Sequence, residues 1–144
     1  MPRRSVTIDL PFSARQMFDL VVDMDRYPEF IPWLVKSRKF DITETTFKSE
    51  MTFAFKGLRE TFFTRDEIDP PHRITITHLS GPFSHLESEW RFTDLATGGS
   101  RVEFFIDFKF SKKLVDLAMG PVFGKASSSM VESFRKRAEQ IYGA

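Results

Sequence analysis

The sequence predicts an α+β fold: a seven-stranded, curved antiparallel sheet around one long C-terminal helix. The expected order is strand, two helices, six strands and the long helix. Three observations carry this. Apolar and polar residues alternate from Leu34 to Phe110, and the period turns helical from about Lys112 to Tyr142. Ahead of both lie one more alternating strand and a capped helix.

The first strand is read from Val6, Ile8 and Leu10 alternating with Ser5, Thr7 and Asp9. Ser13 and Gln16 then form a capping box, with Phe12 and Met17 as its hydrophobic staple, opening a helix to about Val22. Asp25 is positioned to cap a second short turn, with Pro28 tolerated in its first turn and Pro32 ending it.

Breakers at 41–46, 56–57, 69–72, 80–82 and 96–100 recur every ~10–15 residues, as in an antiparallel meander. Phe47, Met51, Phe53 and Phe55 share one parity, as do Leu86, Ser88, Trp90 and Phe92. Val102, Phe104, Ile106, Phe108 and Phe110 do the same. The alternates, among them Lys48, Glu50, Glu87, Arg91, Glu103 and Lys109, make a wet outer face. The 58–68 strand is ambiguous, because both parities carry a Phe and charges.

In the last segment Met119, Phe123, Met130, Phe134 and Ile141 lie near one stripe, flanked by Ala118, Ala126 and Ala138. Gly120-Pro121 interrupts it. A proline there loses a backbone hydrogen bond and clashes with the preceding turn, which predicts a kink or break. A seven-stranded sheet wrapped around one helix can enclose more volume than that helix fills, and the space left over is expected to be a pocket.

Composition narrows the function. Lys plus Arg is 21 and Asp plus Glu is 20, so the net charge of +1 argues against a protein that coats nucleic acid. With no cysteine, thiol catalysis, thiolate metal ligands and disulfides are excluded. The N-terminus lacks the apolar core of a secretory signal, and no run approaches the ~18 apolar residues of a membrane span. A soluble, cytoplasmic protein is expected. The chain has 17 Phe, which outnumber Leu; this fits either a solid aromatic core or a lined cavity.

Catalytic motifs are scarce. His72, His78 and His85 lack metal-ligand spacing. His85, Glu87 and Glu89 share a strand face, but it is the wet one and is read as solvated. Ser127, Ser128 and Ser129 have no nucleophile elbow around them. The basic clusters KSRK (36–39) and KFSKK (109–113) are read as solvated edges or as contacts for anionic lipid or RNA. Inward parity offers Ser49 and Ser88 but few ionisable groups, which disfavours an enzyme.

Four segments carry a family resemblance. RYPEFIPW (26–33), GPFSHLESEWRF (81–92), DFKFSKKL (107–114) and FRKRAEQIYG (134–143) resemble, in order, the signatures of the coenzyme Q-binding proteins. These belong to the START-like, helix-grip superfamily that also holds the polyketide cyclases. The resemblance implies that residues 1–144 are a single START-like domain with a hydrophobic cavity under the C-terminal helix. It implies no catalysis and no required cofactor. The implied ligand is ubiquinone or a related isoprenoid quinone or lipid, bound in support of respiratory electron transfer. Without a transit peptide the chain is similar to bacterial members, which implies a cytoplasmic protein working at the inner membrane. The same family includes a ribosome-association toxin, so a ribosome contact is the alternative, and a cyclase-like enzyme the third reading.

On this reading Tyr27, Phe30 and Trp33 form either an apolar lip stiffened by Pro28 and Pro32 or a plug in the open end of the sheet. The expected ligand-binding residues are these three, with Phe47, Met51, Phe53, Leu86, Trp90, Phe104 and Phe108 from the sheet. Met119, Phe123 and Met130 complete the set from the helix.

Overall fold

Seven antiparallel strands lie in the order β1-β7-β6-β5-β4-β3-β2, so the chain's first strand closes onto its last. The structure is a computed structural model describing residues 3–55 and 57–143. Its elements are β1 (Arg3–Leu10), α1 (Ala14–Val22), a 3-10 turn (Met24–Glu29), β2 (Leu34–Phe40), β3 (Thr46–Phe55) and β4 (Leu58–Asp69). They continue through β5 (Arg73–Ser80), β6 (Phe83–Asp94), β7 (Ser100–Phe110) and α2 (Lys113–Tyr142). This is the helix-grip arrangement. α2 crosses the concave face, packing on β7, β1 and α1.

Local chemistry sets the element ends where the sequence places them. Ser13 Oγ accepts from the Gln16 N–H at 3.1 Å and Gln16 Oε1 accepts from the Ser13 N–H at 2.9 Å, while Phe12 and Met17 are both buried. The turns between strands β2 to β7 fall at the breakers. Gly81, in the β5–β6 turn, has φ +139°, and a Cβ there would lie 2.6 Å from Phe62 Cβ, so only glycine fits this turn.

Four expectations change. Asp25 caps nothing: it lies inside the 3-10 turn, and its Oδ1 accepts from the Lys39 N–H at 2.9 Å, tying the turn to β2. Pro28 sits late in that turn rather than in its opening. α2 runs unbroken through Gly120-Pro121. Its apolar face is buried along most of its 30 residues, and that burial outweighs one lost hydrogen bond. The Pro121 ring faces solvent. Finally, the buried stripe of α2 is Gly120, Phe123, Gly124, Ser127, Val131, Phe134 and Ala138. Met119 and Met130 flank it, Ala118 is exposed, and Ile141 lies outside it at 50% exposure.

The aromatic excess is largely solid core. Phe83 stacks on Phe110 at 4.7 Å, and Phe123 of α2 meets Phe108 at 4.9 Å and Phe53 at 5.3 Å. A second group gathers around Trp90, with Phe104 at 4.4 Å and Phe134 at 5.2 Å. The ambiguous strand β4 turns Phe62, Thr64 and Asp66 inward. Phe63 faces outward, where it meets Phe40 edge-on at 6.2 Å.

Candidate functional site

Between the two aromatic groups a cavity of about 60 Å³ remains. An engineered cavity that binds benzene is ~150 Å³, so this one is smaller than a benzene site. Sheet strands β3 to β7 form its floor, α2 its roof, and the 24–34 segment one wall.

Eight of the thirteen expected residues line it: Tyr27, Trp33, Met51, Leu86, Trp90, Phe104, Phe123 and Met130. The other five lie elsewhere. Phe53 and Phe108 are sealed in the solid cluster. Phe47 is buried beneath the Lys39 ammonium, 5.1 Å from its ring. Phe30 packs on Tyr27 and Phe134, with the Arg137 guanidinium 5.0 Å above it. Met119 is half-buried beside the stripe.

The RYPEFIPW segment divides between rim and wall. Tyr27 is 2% exposed and its hydroxyl donates to the Val21 carbonyl, which makes it a wall. Trp33 is half-buried, stacked on Phe55 at 5.2 Å and edge-on to Phe123 at 6.2 Å, where the 24–34 segment meets α2.

Of the polar residues of the cavity, Thr64 and Asp66 escape the sequence reading, and Ser127 enters it only as a serine without a nucleophile elbow. Thr64 Oγ1 donates to Asp66 Oδ1 at 2.6 Å, and Ser49 Oγ lies 2.5 Å from Thr64 Oγ1. With the Thr64 proton committed to Asp66, the Ser49 hydroxyl donates to Thr64. Asp66 is fully buried, and its Oδ2 has no hydrogen-bond partner. Burial pushes its carboxyl up to about 7, against the opposing pull of the Thr64 hydrogen bond and the Lys39 charge. Burial, reinforced by the Asp66 charge, raises the Tyr27 phenol well above its usual value. Ser88 Oγ donates to the Phe105 carbonyl at 2.7 Å, whereas Ser127 Oγ, on α2, is buried without a partner. The signal that could have found Asp66 is parity: Phe62, Thr64 and Asp66 alternate with Phe63, Arg65 and Glu67, and two polar inward residues disguise the buried face.

On the outer face the grouping differs from the expected one. His85 and Glu87 meet Asp107 across the β6–β7 pair, with ligand atoms within 4.8 Å of one another. Glu89 is instead taken by Arg91. This cluster belongs to the opposite side of the sheet from the cavity. No described helix is long and apolar enough to cross a membrane.

A seven-stranded antiparallel sheet, a helical roof and an apolar cavity with a few polar groups define a helix-grip domain. The chain belongs to the family described as "Polyketide cyclase / dehydrase and lipid transport", whose profile matches residues 10–135. It is 37% identical over 144 residues to the ribosome association toxin RatA of Escherichia coli K12, covering 100% of this chain and 91% of that one. It is 29% identical over 138 residues to the mitochondrial coenzyme Q-binding protein COQ10 homolog B of Xenopus laevis, covering 93% of this chain and 57% of that one. In fold it is similar to the Zhui aromatase/cyclase of a Streptomyces species, with a TM-score of 0.85 at 16% identity over 96% and 94% of the two chains.

Proposed function

We propose that this protein binds an isoprenoid quinone or a similar lipid between the sheet and α2, without chemistry on it, in support of respiratory electron transfer. The observation that carries this reading is the cavity wall: aromatic and thioether side chains around a few polar atoms, roofed by one helix. Asp66 and Tyr27 are the ionisable groups among the lining residues, and Tyr27 is tied to the Val21 carbonyl. A lone acid with no partnering base supports binding over cyclase-like catalysis. The coenzyme Q-binding relative supports the choice of quinone.

A cavity of about 60 Å³ takes such a ligand only if its roof moves. Phe123, Ser127 and Met130 roof it, from within a turn of Gly120-Pro121 to more than two turns beyond it. Leu114 and Leu117 are 81% and 66% exposed in the first turns of α2, beside Lys112 and Lys113. An apolar, basic helix end of this kind suits peripheral contact with an anionic membrane, from which a ligand would load.

The direct test is organic extraction of protein made in a quinone-producing host, followed by mass spectrometry. Co-purified quinone is expected. Lipid at background level, with no quenching of Trp90 or Trp33 fluorescence by added quinone, defeats the reading.

The roof is tested by Gly120→Ala with Pro121→Ala. A Cβ at Gly120 meets Asp116 Oδ1 at an ordinary 3.7 Å, and alanine in place of Pro121 restores the backbone N–H that proline lacks. The double variant should be more stable by ~1–3 kcal/mol and should transfer quinone between vesicles more slowly. Greater stability with unchanged transfer moves the gate to the Tyr27–Trp33 segment.

A second reading, contact with a ribosomal subunit, draws on the name of the 37%-identical relative. It also draws on Lys109, Lys112 and Lys113, which are in no ion pair among the described residues; Lys36 and Arg38 are both paired with Glu50. It requires co-sedimentation with ribosomal subunits that weakens steeply as salt rises.

A further inference from the structure

The cavity holds one carboxyl that the fold leaves half satisfied. Asp66 has no exposure to solvent, its Oδ1 is occupied by Thr64, and its Oδ2 has no partner although the residue lies in the cavity wall. A buried polar atom without a hydrogen bond is costly, and such orphans are rare in folded proteins. A second orphan, Ser127 Oγ, stands in the same cavity on the α2 wall. Every other hydroxyl lining it is engaged: Thr64 with Asp66, Ser88 with the Phe105 carbonyl and Tyr27 with the Val21 carbonyl.

We infer that Asp66 is the head-group subsite of the cavity, donating a hydrogen bond from its protonated carboxyl to a carbonyl oxygen of an uncharged amphiphile. This rests on the lipid-binding reading above and narrows it to a ligand class. A quinone, ketone or ester oxygen only accepts, so it complements an acid that is neutral and not one that is ionised. A fatty-acid carboxylate is disfavoured, because its charge would be buried in an apolar cavity with no cation among the lining residues.

The neighbouring groups keep Asp66 in this role. From the 3-10 turn, Tyr27 is held in its neutral form by burial. From β2, Lys39 is the nearby cation; its charge and the Thr64 hydrogen bond are outweighed by burial, which leaves the carboxyl at about 7. On β5, Ile76 stands opposite Asp66. His78, one inward position further along, has its imidazole lowered by burial and adds no cation at neutral pH. Across β3 the partner is Phe47, and the α2 wall contributes Ser127.

The test is equilibrium dialysis of decylubiquinone, and of decylbenzene as a probe without carbonyls. The parent protein is compared with Asp66→Asn and Asp66→Leu. The parent should bind decylubiquinone about tenfold more weakly at pH 8.5 than at pH 6, the loss of one charge-sensitive hydrogen bond. Asp66→Asn keeps a donor at every pH, so it should bind with no such pH dependence. Asp66→Leu should bind decylubiquinone about tenfold more weakly at pH 6 yet hold decylbenzene as well as the parent does. Equal decylubiquinone affinity in the parent and Asp66→Leu, with both probes bound, overturns the Asp66 subsite and leaves the lipid-binding reading intact. Binding of neither probe by the parent overturns both. Thermal melts of the three proteins show that each is folded.

Discussion

Asp66→Asn is expected to leave stability unchanged well below pH 4 and to raise it by on the order of 4 kcal/mol above pH 7. The carboxyl rises from 3.8 to about 7 on folding, chiefly because burial strips it of water. Well below pH 3.8 it is protonated in both states and carries no penalty. Between pH 4 and 7 the unfolded chain releases the proton while the folded chain keeps it, so stability falls as pH rises. Above 7 both states are ionised and the penalty is constant. Asn preserves the acceptor for Thr64 and cannot ionise. Denaturant melts from pH 3.5 to 8.5 check this: the two curves should meet at the acid end and diverge toward neutrality. Parallel curves would mean that Asp66 is hydrated in the folded protein. The group proposed to meet the ligand is thus one that destabilises the fold at neutral pH, as perturbed groups at binding sites often do.

Trp90→Ala should destabilise the protein by about 3–5 kcal/mol, and Trp33→Ala by much less. Trp90 is 2% exposed and contacts Phe92, Phe104 and Phe134. Its removal leaves a hole in the packed floor beside an existing cavity. Trp33 is half-buried and rests on Phe55 and Phe123, where solvent can replace it. Melting temperatures of the two variants, measured alongside their quinone affinities, separate packing from recognition. A small loss of stability with a large loss of affinity makes Trp33 a rim residue. Equal, large losses of stability make it a plug.

Trp90 and Asp66 differ in how far the sequence betrays them. Two-residue alternation assigns Trp90, Phe104, Leu86 and Met51 to the interior, and the structure turns all four to the cavity. Asp66 escapes because burial of a carboxylate contradicts the pattern on which such readings depend. Its strand shows charges on both faces, and only the pairing of Asp66 with Phe47 and Ile76 reveals which face is dry. Tyr27, read from the sequence as either lip or plug, is wall because its hydroxyl reaches back to Val21. The metal-like group suggested along one strand assembles instead across two, since Asp107 stands opposite Glu87.

By itself the sequence determined the strands, both α-helices and most of their ends. The Ser13–Gln16 box, the breakers between strands and the change of period at Lys112 all act over a few residues, where covalent geometry and nearest-neighbour hydrogen bonds decide. What only the tertiary structure decided depends on distant segments meeting. α2 stays continuous across Pro121 because its buried face is held against the sheet. The aromatic excess divides into a solid cluster and a small cavity because Phe123 fills one end of the grip and the other end is left to Met130, Ser127 and Trp90. Whether a ring closes a gap or borders one depends on how side chains from several elements interlock in three dimensions, and a period along the chain does not carry that information.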